Sequence, residues 1–345
     1  MFMIYQPKRI VVTGGAGFIG SNYIQYMLDN YADIHITNID KITYAGSLDN
    51  VARFTHDKRY LFFQTDIGSS AEIETILRTN NIDTIVHFAA ESHVDRSIAN
   101  PDAFIRTNMV GTYVLLEAAR KVWLQESHRN KLNCRFHHVS TDEVYGSLSK
   151  TDPPFTEQTP YAPKSPYSAS KAASDHLVSA YYNTYGLPVT LSNCSNNYGP
   201  SQHQEKLIPT IIASCLTFKS IPIYSDGSNI RDWLYVEDHC RGIDLIIHRG
   251  ELGENYNIGA DTEYNNLALT HIICEMMAEQ TGQTLAAYLD LISFVKDRPG
   301  HDFRYAIDAK KMQQQLGWQP LHDIKQGLRK TVTWYLAHHQ VKAFA

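Results

Sequence analysis

Arg9-Ile10-Val11-Val12-Thr13 runs straight into Gly14-Gly15-Ala16-Gly17-Phe18-Ile19-Gly20, and a helical pattern continues through Leu28. The β-branched run predicts a strand, the glycines a tight turn, and the segment after Gly17 a helix whose first amides have no partner within it. Free amides and the positive end of a helix dipole hold an anion, and glycine lets the backbone approach a pyrophosphate. The spacing is G-x-x-G-x-x-G, with Gly14, Gly17 and Gly20 in step and Phe18 and Ile19 at the helix mouth.

The alternation continues. Further strands are predicted over 34–39, 60–65, 84–88, 134–140 and 188–193, separated by helical patterns that include 110–122 and one opening near Tyr167. Strands alternating with helices predict right-handed crossovers and a Rossmann-like α/β fold, a doubly wound parallel sheet. Asp40, twenty residues after Gly20, is placed to accept bonds from ribose hydroxyls, which favours NAD over NADP; Lys41 beside it tempers that preference. Asp66-Ile67 end the third strand where an adenine would lie, and Ala89-Ala90 keep the fourth exit small enough for a cofactor backbone. Glu91 to Ser97 is a polar crossover loop at a strand's carboxyl end, which marks a site. The turn-rich stretch Ser195 to Pro200 is read as the handover to a smaller α/β substrate-binding lobe toward the C-terminus. The expected division is 1–195 for a dinucleotide-binding domain carrying the catalytic residues and 196–345 for a predominantly sugar-nucleotide-binding lobe, with some segments returning to the first. No linker separates them, so the cleft between is the expected ligand site.

At 345 residues the chain suits one large or two modest domains, and with net charge -5 and mixed signs it has no basic footprint for nucleic acid. The five cysteines, at 134, 194, 215, 240 and 274, show no Cys-x-x-Cys pair and read as reduced core thiols. His137-His138 are neighbours on a strand and point to opposite faces, so no metal site is expected. Residues 1–9 are too short and polar for a signal peptide, and no run reaches the ~20 apolar residues that span a bilayer. A cytoplasmic protein with no membrane partner is the expectation.

The chemistry is expected between Ser140 and Lys171. Tyr167 and Lys171 are spaced i,i+4 and leave one helix face, with the ammonium beneath the phenol. Such a cation is expected to lower the phenol from its usual ~10 and make it a base near neutrality. Thr141-Asp142-Glu143 follow the fifth strand. Alone, two carboxyls there are a solvated turn; beside the glycine turn and the Tyr-Lys pair, they divide acid and base work. Arg231 and Arg298 are candidates for a diphosphate, because guanidinium forks match phosphate oxygens, with Asn196, Lys206 and Asn266 as further donors.

The Gly14 to Gly20 turn, Tyr167-x-x-x-Lys171 and the second lobe resemble the extended short-chain dehydrogenases that act on nucleotide sugars. Thr141-Asp142-Glu143-Val144-Tyr145-Gly146 narrows the resemblance to the dTDP-glucose 4,6-dehydratases, as do Asp40 to Gly46, Ala89 to Ile98, Asn193 to Pro200, Arg231 to His239 and Asp297 to Asp302. The resemblance implies NAD, dTDP-glucose or a close nucleotide sugar, and a homodimer. It implies Thr43, Thr107 and Asn197 as further cofactor contacts, and Ser92, Leu207, Pro222, Tyr224 and His301 as further substrate contacts. Three departures stand out: His203-Gln204 where an aromatic-proline pair usually leads into Glu205, Phe303 where a second arginine usually precedes Tyr305, and a loop between Gly146 and Tyr161 that is shorter than in some relatives.

Removing water across C5 and C6 of a hexose is hard until C4 is a ketone, because only then is the C5 proton acidic. The resemblance implies Tyr167 and Lys171 for C4 oxidation with Thr141 bonded to the same oxygen, Glu143 for the C5 proton, Asp142 for the C6 hydroxyl, and return of the hydride to C6. The rival readings are another nucleotide-sugar dehydratase, a 4-epimerase or a decarboxylase and, in a different class, a non-catalytic NAD-sensing module.

Overall fold

The computed structural model describes residues 4–127, 130–297 and 300–343. Seven strands form one parallel sheet in the order β10-β6-β5-β4-β1-β2-β3. They are β1 (Arg9–Thr13), β2 (His35–Ile39), β3 (Tyr60–Phe63), β4 (Thr84–His87), β5 (Arg135–Thr141), β6 (Val189–Cys194) and β10 (Asn255–Ile258). The order reverses beside β1, the place where doubly wound sheets open a crevice at their carboxyl ends. Side chains alternate across the sheet, so Ile10 and Val12 enter one core with Ile24, Met27 and Ile36, while Val11 enters the other with Ile85, Leu115 and Phe136. Both faces are covered, which explains why these strands are apolar throughout.

The smaller layer is built around β9 (Ile230–Tyr235), which pairs with β7 (Asn196–Tyr198), β11 (Glu263–Asn265) and β13 (Arg304–Tyr305). A separate parallel pair joins β8 (Ile221–Tyr224) to β12 (Ile292–Val295). Helices Leu207–Thr217, Asn266–Thr281 and Ile324–Ala343 close over it, burying Ile208, Ile212, Leu269, Ile273 and Leu328.

The structure differs from the sequence expectations in two places. Residues 196–198, read as turn, are strand β7, because Asn196 to Tyr198 pair with Trp233 to Tyr235 and tertiary pairing overrides their turn propensity. The helix expected over 110–122 is part of a longer helical run, 102–126, that includes two wider-wound stretches. Segments after 196 return to the large sheet: helix Val236–Arg249 packs on helix Phe18–Asn30, and β10 bonds β6 from Asn255↔Leu191 to Ile258↔Cys194.

Candidate active site

A cavity of about 300 Å³ opens at the carboxyl ends of β1 to β6. On the β1 side, Gly14 has φ +70, and a Cβ there would lie 2.7 Å from the Ala89 nitrogen; at Gly20 it would lie 2.3 Å from the Gly14 carbonyl oxygen. Only glycine fits either place. Gly17 caps the helix without a side-chain bond and the first turn holds no acid, so the amides of Phe18, Ile19 and Gly20 face the cavity uncompensated. This is a cradle for a pyrophosphate. Asp40 accepts the Ala16 N–H at 3.0 Å and the Ile42 N–H at 2.8 Å, which fixes its carboxylate on the wall and uses two of its roughly four acceptor positions. Lys41 Nζ turns to Asp66 Oδ2 at 3.2 Å, away from any ribose on Asp40. Thr43, Ile67, Ala89, Ala90, Thr107 and Asn197 line the same cavity, so every residue assigned to the cofactor from sequence lies on one wall. This donor set fits NAD.

The side chains expected to be catalytic come from two elements. Thr141 closes β5 and accepts the Glu143 N–H at 3.3 Å, starting a single turn over Asp142–Tyr145. Helix Pro166–Tyr185 begins with Pro166 behind a Ser165–Ser168 capping box and ends at Gly186 with φ 65, so its start is fixed where Tyr167 meets the strand ends. Thr141, Asp142, Glu143, Tyr167 and Lys171 all line the cavity that holds the glycine turn. Tyr167 and Thr141 line the cavity together, and Thr141 Oγ1 donates to Asp142 Oδ1 at 3.4 Å. Asp142 is 2% exposed and its Oδ2 has no hydrogen-bond partner among the described residues. Burial above all, then the charges of Glu143 and Asp232, push its carboxyl well above the usual range, with Arg231 opposing. Burial of this kind favours the neutral, proton-carrying form of the carboxyl.

One expectation is corrected. Tyr167 is pushed well above its ordinary value, chiefly by burial and then by Glu143, where a lowering by Lys171 was expected. The ammonium donates to the Val139 carbonyl at 2.8 Å and lies 3.4 Å from His138 Nε2, and burial lowers its own pKa. In a buried site the cost of desolvating a phenolate exceeds what a cation engaged elsewhere returns.

Sequence reasoning passed over the groups behind this pair. Asp175, one turn beyond Lys171, accepts from Ser140 Oγ at 2.7 Å, and His138 Nε2 lies 3.1 Å from its other oxygen. Asn193 Nδ2 donates to the Thr141 carbonyl at 2.9 Å. The repeated four-residue step Tyr167, Lys171, Asp175 was the available signal. At the mouth, Glu205 Oε2 gathers Arg96 at 3.4 Å and His93 and His203 at 3.6 Å, and Lys206 Nζ donates to the Ser92 carbonyl at 3.1 Å. His203 therefore forms part of the wall, edge-on to Tyr44.

The residues assigned to substrate divide. Ser92, Thr141, Asn196 and Lys206 line the cavity; Leu207, Pro222, Tyr224, Arg231, Asn266 and His301 do not. Arg231 is buried on β9 and donates to the carbonyls of Ile230, Asp302 and Phe303 at 2.7, 3.0 and 3.2 Å, with its guanidinium 4.4 Å from the Tyr305 ring centre. Leu207 and Asn266 open helices, Asn266 buried. Pro222 and Tyr224 are exposed on β8, and His301 stands edge-on to Tyr224 at 5.8 Å and 2.6 Å from Asp297. Arg298 lies outside the described residues. Beside Phe303, Arg304 is a structural cation: it forks onto Glu263 at 2.5 and 2.7 Å and reaches the Asp152 carbonyl at 2.7 Å.

Residues 11–331 match the family model described as GDP-mannose 4,6 dehydratase. The dTDP-glucose 4,6-dehydratase of Neisseria gonorrhoeae is 53% identical over 332 residues, covering 95% of this chain and 96% of that protein. That of Salmonella typhimurium is 52% identical over 340 residues, covering 96% and 94%. The chain belongs to the dTDP-glucose 4,6-dehydratase family. A dTDP-glucose 4,6-dehydratase from Bacillus anthracis, solved in complex with NAD, superposes with TM-score 0.85 at 44% identity, covering 96% of this chain and 98% of that one. A UDP-glucose 4-epimerase from Thermotoga maritima has the same fold at TM-score 0.83 and 26% identity, covering 96% and 99%.

Proposed function

We propose that this chain binds NAD and converts dTDP-glucose to dTDP-4-keto-6-deoxyglucose and water. The observation that carries the reading is that Tyr167, Thr141, Asp142 and Glu143 line the same cavity as the glycine turn, with Thr141 Oγ1 donating to Asp142 Oδ1. When bound, NAD supplies a hydride acceptor for C4 and a donor for C6; Gly14 to Gly20 hold its pyrophosphate and Asp40 its ribose. Tyr167 is the base for the C4 hydroxyl, and because burial holds its phenol above the ordinary value it must first lose its own proton; Thr141 bonds the same oxygen. Once C4 is a ketone, Glu143 removes the C5 proton. Asp142, kept protonated by its burial, gives its proton to the C6 hydroxyl, which leaves as water. Glu143 then returns a proton to C5.

The division of labour follows the layers. The large sheet holds NAD and the catalytic groups, and the smaller layer, with Arg231, Tyr224 and His301, holds the nucleotide. The reading includes a cytoplasmic enzyme acting as a homodimer. Ile98, Ile105, Val110 and Tyr113, each 45 to 48% exposed around the helical run 102–126, are the apolar face that supports a second copy.

Incubation with dTDP-glucose decides the activity: a 4-keto-6-deoxy product supports it, and dTDP-galactose in its place sinks it. Glu143→Gln is expected to keep C4 oxidation but lose solvent-deuterium exchange at C5 by a factor of about 100 or more. Undiminished exchange would remove Glu143 from that role.

A further inference from the structure

The hydride that leaves C4 has to come back at C6 from one face of the nicotinamide ring, so the ring must not turn over between the two steps. Sheet order says which end of the cavity takes that ring. Asp40 and Asp66 follow β2 and β3 on one side of the glycine turn, while β5 and β6 lie on its other side. A dinucleotide with its ribose on Asp40 therefore ends beyond β5 and β6. Asn197, just past the end of β6, lines the cavity there.

An amide presents an oxygen on one side and N–H groups on the other, and the structure fixes which way round Asn197 stands. Its Oδ1 lies 2.9 Å from Nδ1 of His239, on helix Val236–Arg249, and its Nδ2 donates to the Ser195 carbonyl at 3.0 Å. His239 is fully buried, and burial pushes it down to about 3, so the ring is neutral and carries one proton. Its Nε2 has no partner among the described residues. With the proton on Nδ1, the imidazole donates to Asn197 Oδ1, and only a lone pair is left unmatched at Nε2. The opposite arrangement would bury an N–H at Nε2 with no acceptor and set the amide oxygen against the Ser195 carbonyl.

The Asn197 oxygen is thus engaged by His239, and what the side chain can offer the cavity is an N–H. Cys194, three residues earlier on the same wall, is a weak acceptor whose thiol donates to the Ser140 carbonyl at 3.4 Å, so it competes poorly with an oxygen for that N–H. We propose that His239 is a positioning residue: it turns the Asn197 amide so that its N–H holds the carboxamide oxygen of NAD and keeps one face of the nicotinamide ring toward the sugar. The inference rests on the reading of NAD as cofactor given above. Helix Val236–Arg249 packs on helix Phe18–Asn30, whose first turn forms the pyrophosphate cradle. One pair of packed helices therefore sets two contacts to the same dinucleotide.

The test measures binding of three dinucleotides to the whole chain stripped of NAD, followed by quenching of protein fluorescence. They are NAD, its acetylpyridine analogue, which keeps the carbonyl oxygen, and its unsubstituted pyridine analogue, which lacks it. Wild type is expected to bind the first two alike and the third about tenfold more weakly. His239→Leu removes the donor, so Asn197 can turn over, and the three should bind alike. His239→Asn returns a donor near the place of Nδ1 and should restore the order. A His239→Leu protein that keeps the wild-type order, at whatever affinity, overturns the proposal, because general damage moves all three together; so does a wild type without that order. If His239→Leu does not fold, nitrogen NMR of the wild-type histidines decides: a proton on Nδ1 of His239 supports the proposal, and one on Nε2 overturns it. A wild type that binds none of the three overturns the NAD reading along with this one. Absence of a 4-keto-6-deoxy product, with the binding order as expected, strikes the activity alone.

Discussion

The inner wall of the cavity and the outer substrate segments are held in place by different physics. Inside, Gly14, Asp40, Ala89, Thr141 and Asn197 sit at or just beyond strand ends of a continuously hydrogen-bonded framework, most of them on the seven-stranded parallel sheet, so register alone sets their spacing. Outside, Tyr224 and His301 stand on a two-stranded pair and a loop, and Arg231 is fixed by three carbonyls and a ring stack. A shift inside displaces several reacting groups together. A shift outside displaces one of the residues proposed to contact the nucleotide. The first kind of change should alter the rate of chemistry, and the second chiefly the binding of substrate.

The sharpest way to break that contrast is Gly20→Ala. Its Cβ meets backbone at 2.3 Å, so the turn must move, and activity is expected to fall roughly a thousandfold with loss of bound nicotinamide, because positioning supplies several kcal/mol of the barrier. A variant that still co-purifies with NAD at full occupancy would refute the cradle. Asp175→Asn tests the buried layer beneath. Burial raises this carboxyl from 3.8 to about 6 in the folded protein, so the native state binds more protons than the unfolded one between those values. Its contribution to stability is present below about pH 4 and is lost as pH rises through 6. Asn should therefore flatten that part of the urea-unfolding profile by roughly 3 kcal/mol. An unchanged slope would mean that Asp175 titrates as an ordinary carboxyl. The smallest effect is expected outside: Tyr224→Ala should raise KM for dTDP-glucose about tenfold, the worth of stacking on a base, and leave kcat alone. An equal loss in kcat would erase the distinction between the regions.

The cofactor half was legible because its signals are local. A strand, three glycines and a helix in a row leave few conformations, and an acid at the end of the next strand lies beside them whatever the rest of the chain does. The Tyr-Lys spacing likewise predicted a shared face, and both side chains do line the cavity. Its electrostatic consequence was not legible. Whether Lys171 depresses the phenol depends on what else the ammonium touches, and Val139 and His138 come from a strand more than thirty residues earlier. Asp175 shows the same limit: its position on the helix face could be counted, but its partners on β5 could not.

Local order along the chain, then, determined the sheet, the glycine cradle and the presence of a hydroxyl, two carboxyls, a phenol and an ammonium near one another, because those follow from periodicity and short spacings. Tertiary packing alone decided their protonation, since that depends on burial and on charges brought from distant segments. It also turned 196–198 into a strand, where hydrogen-bonding partners more than thirty residues away outweighed local turn preference.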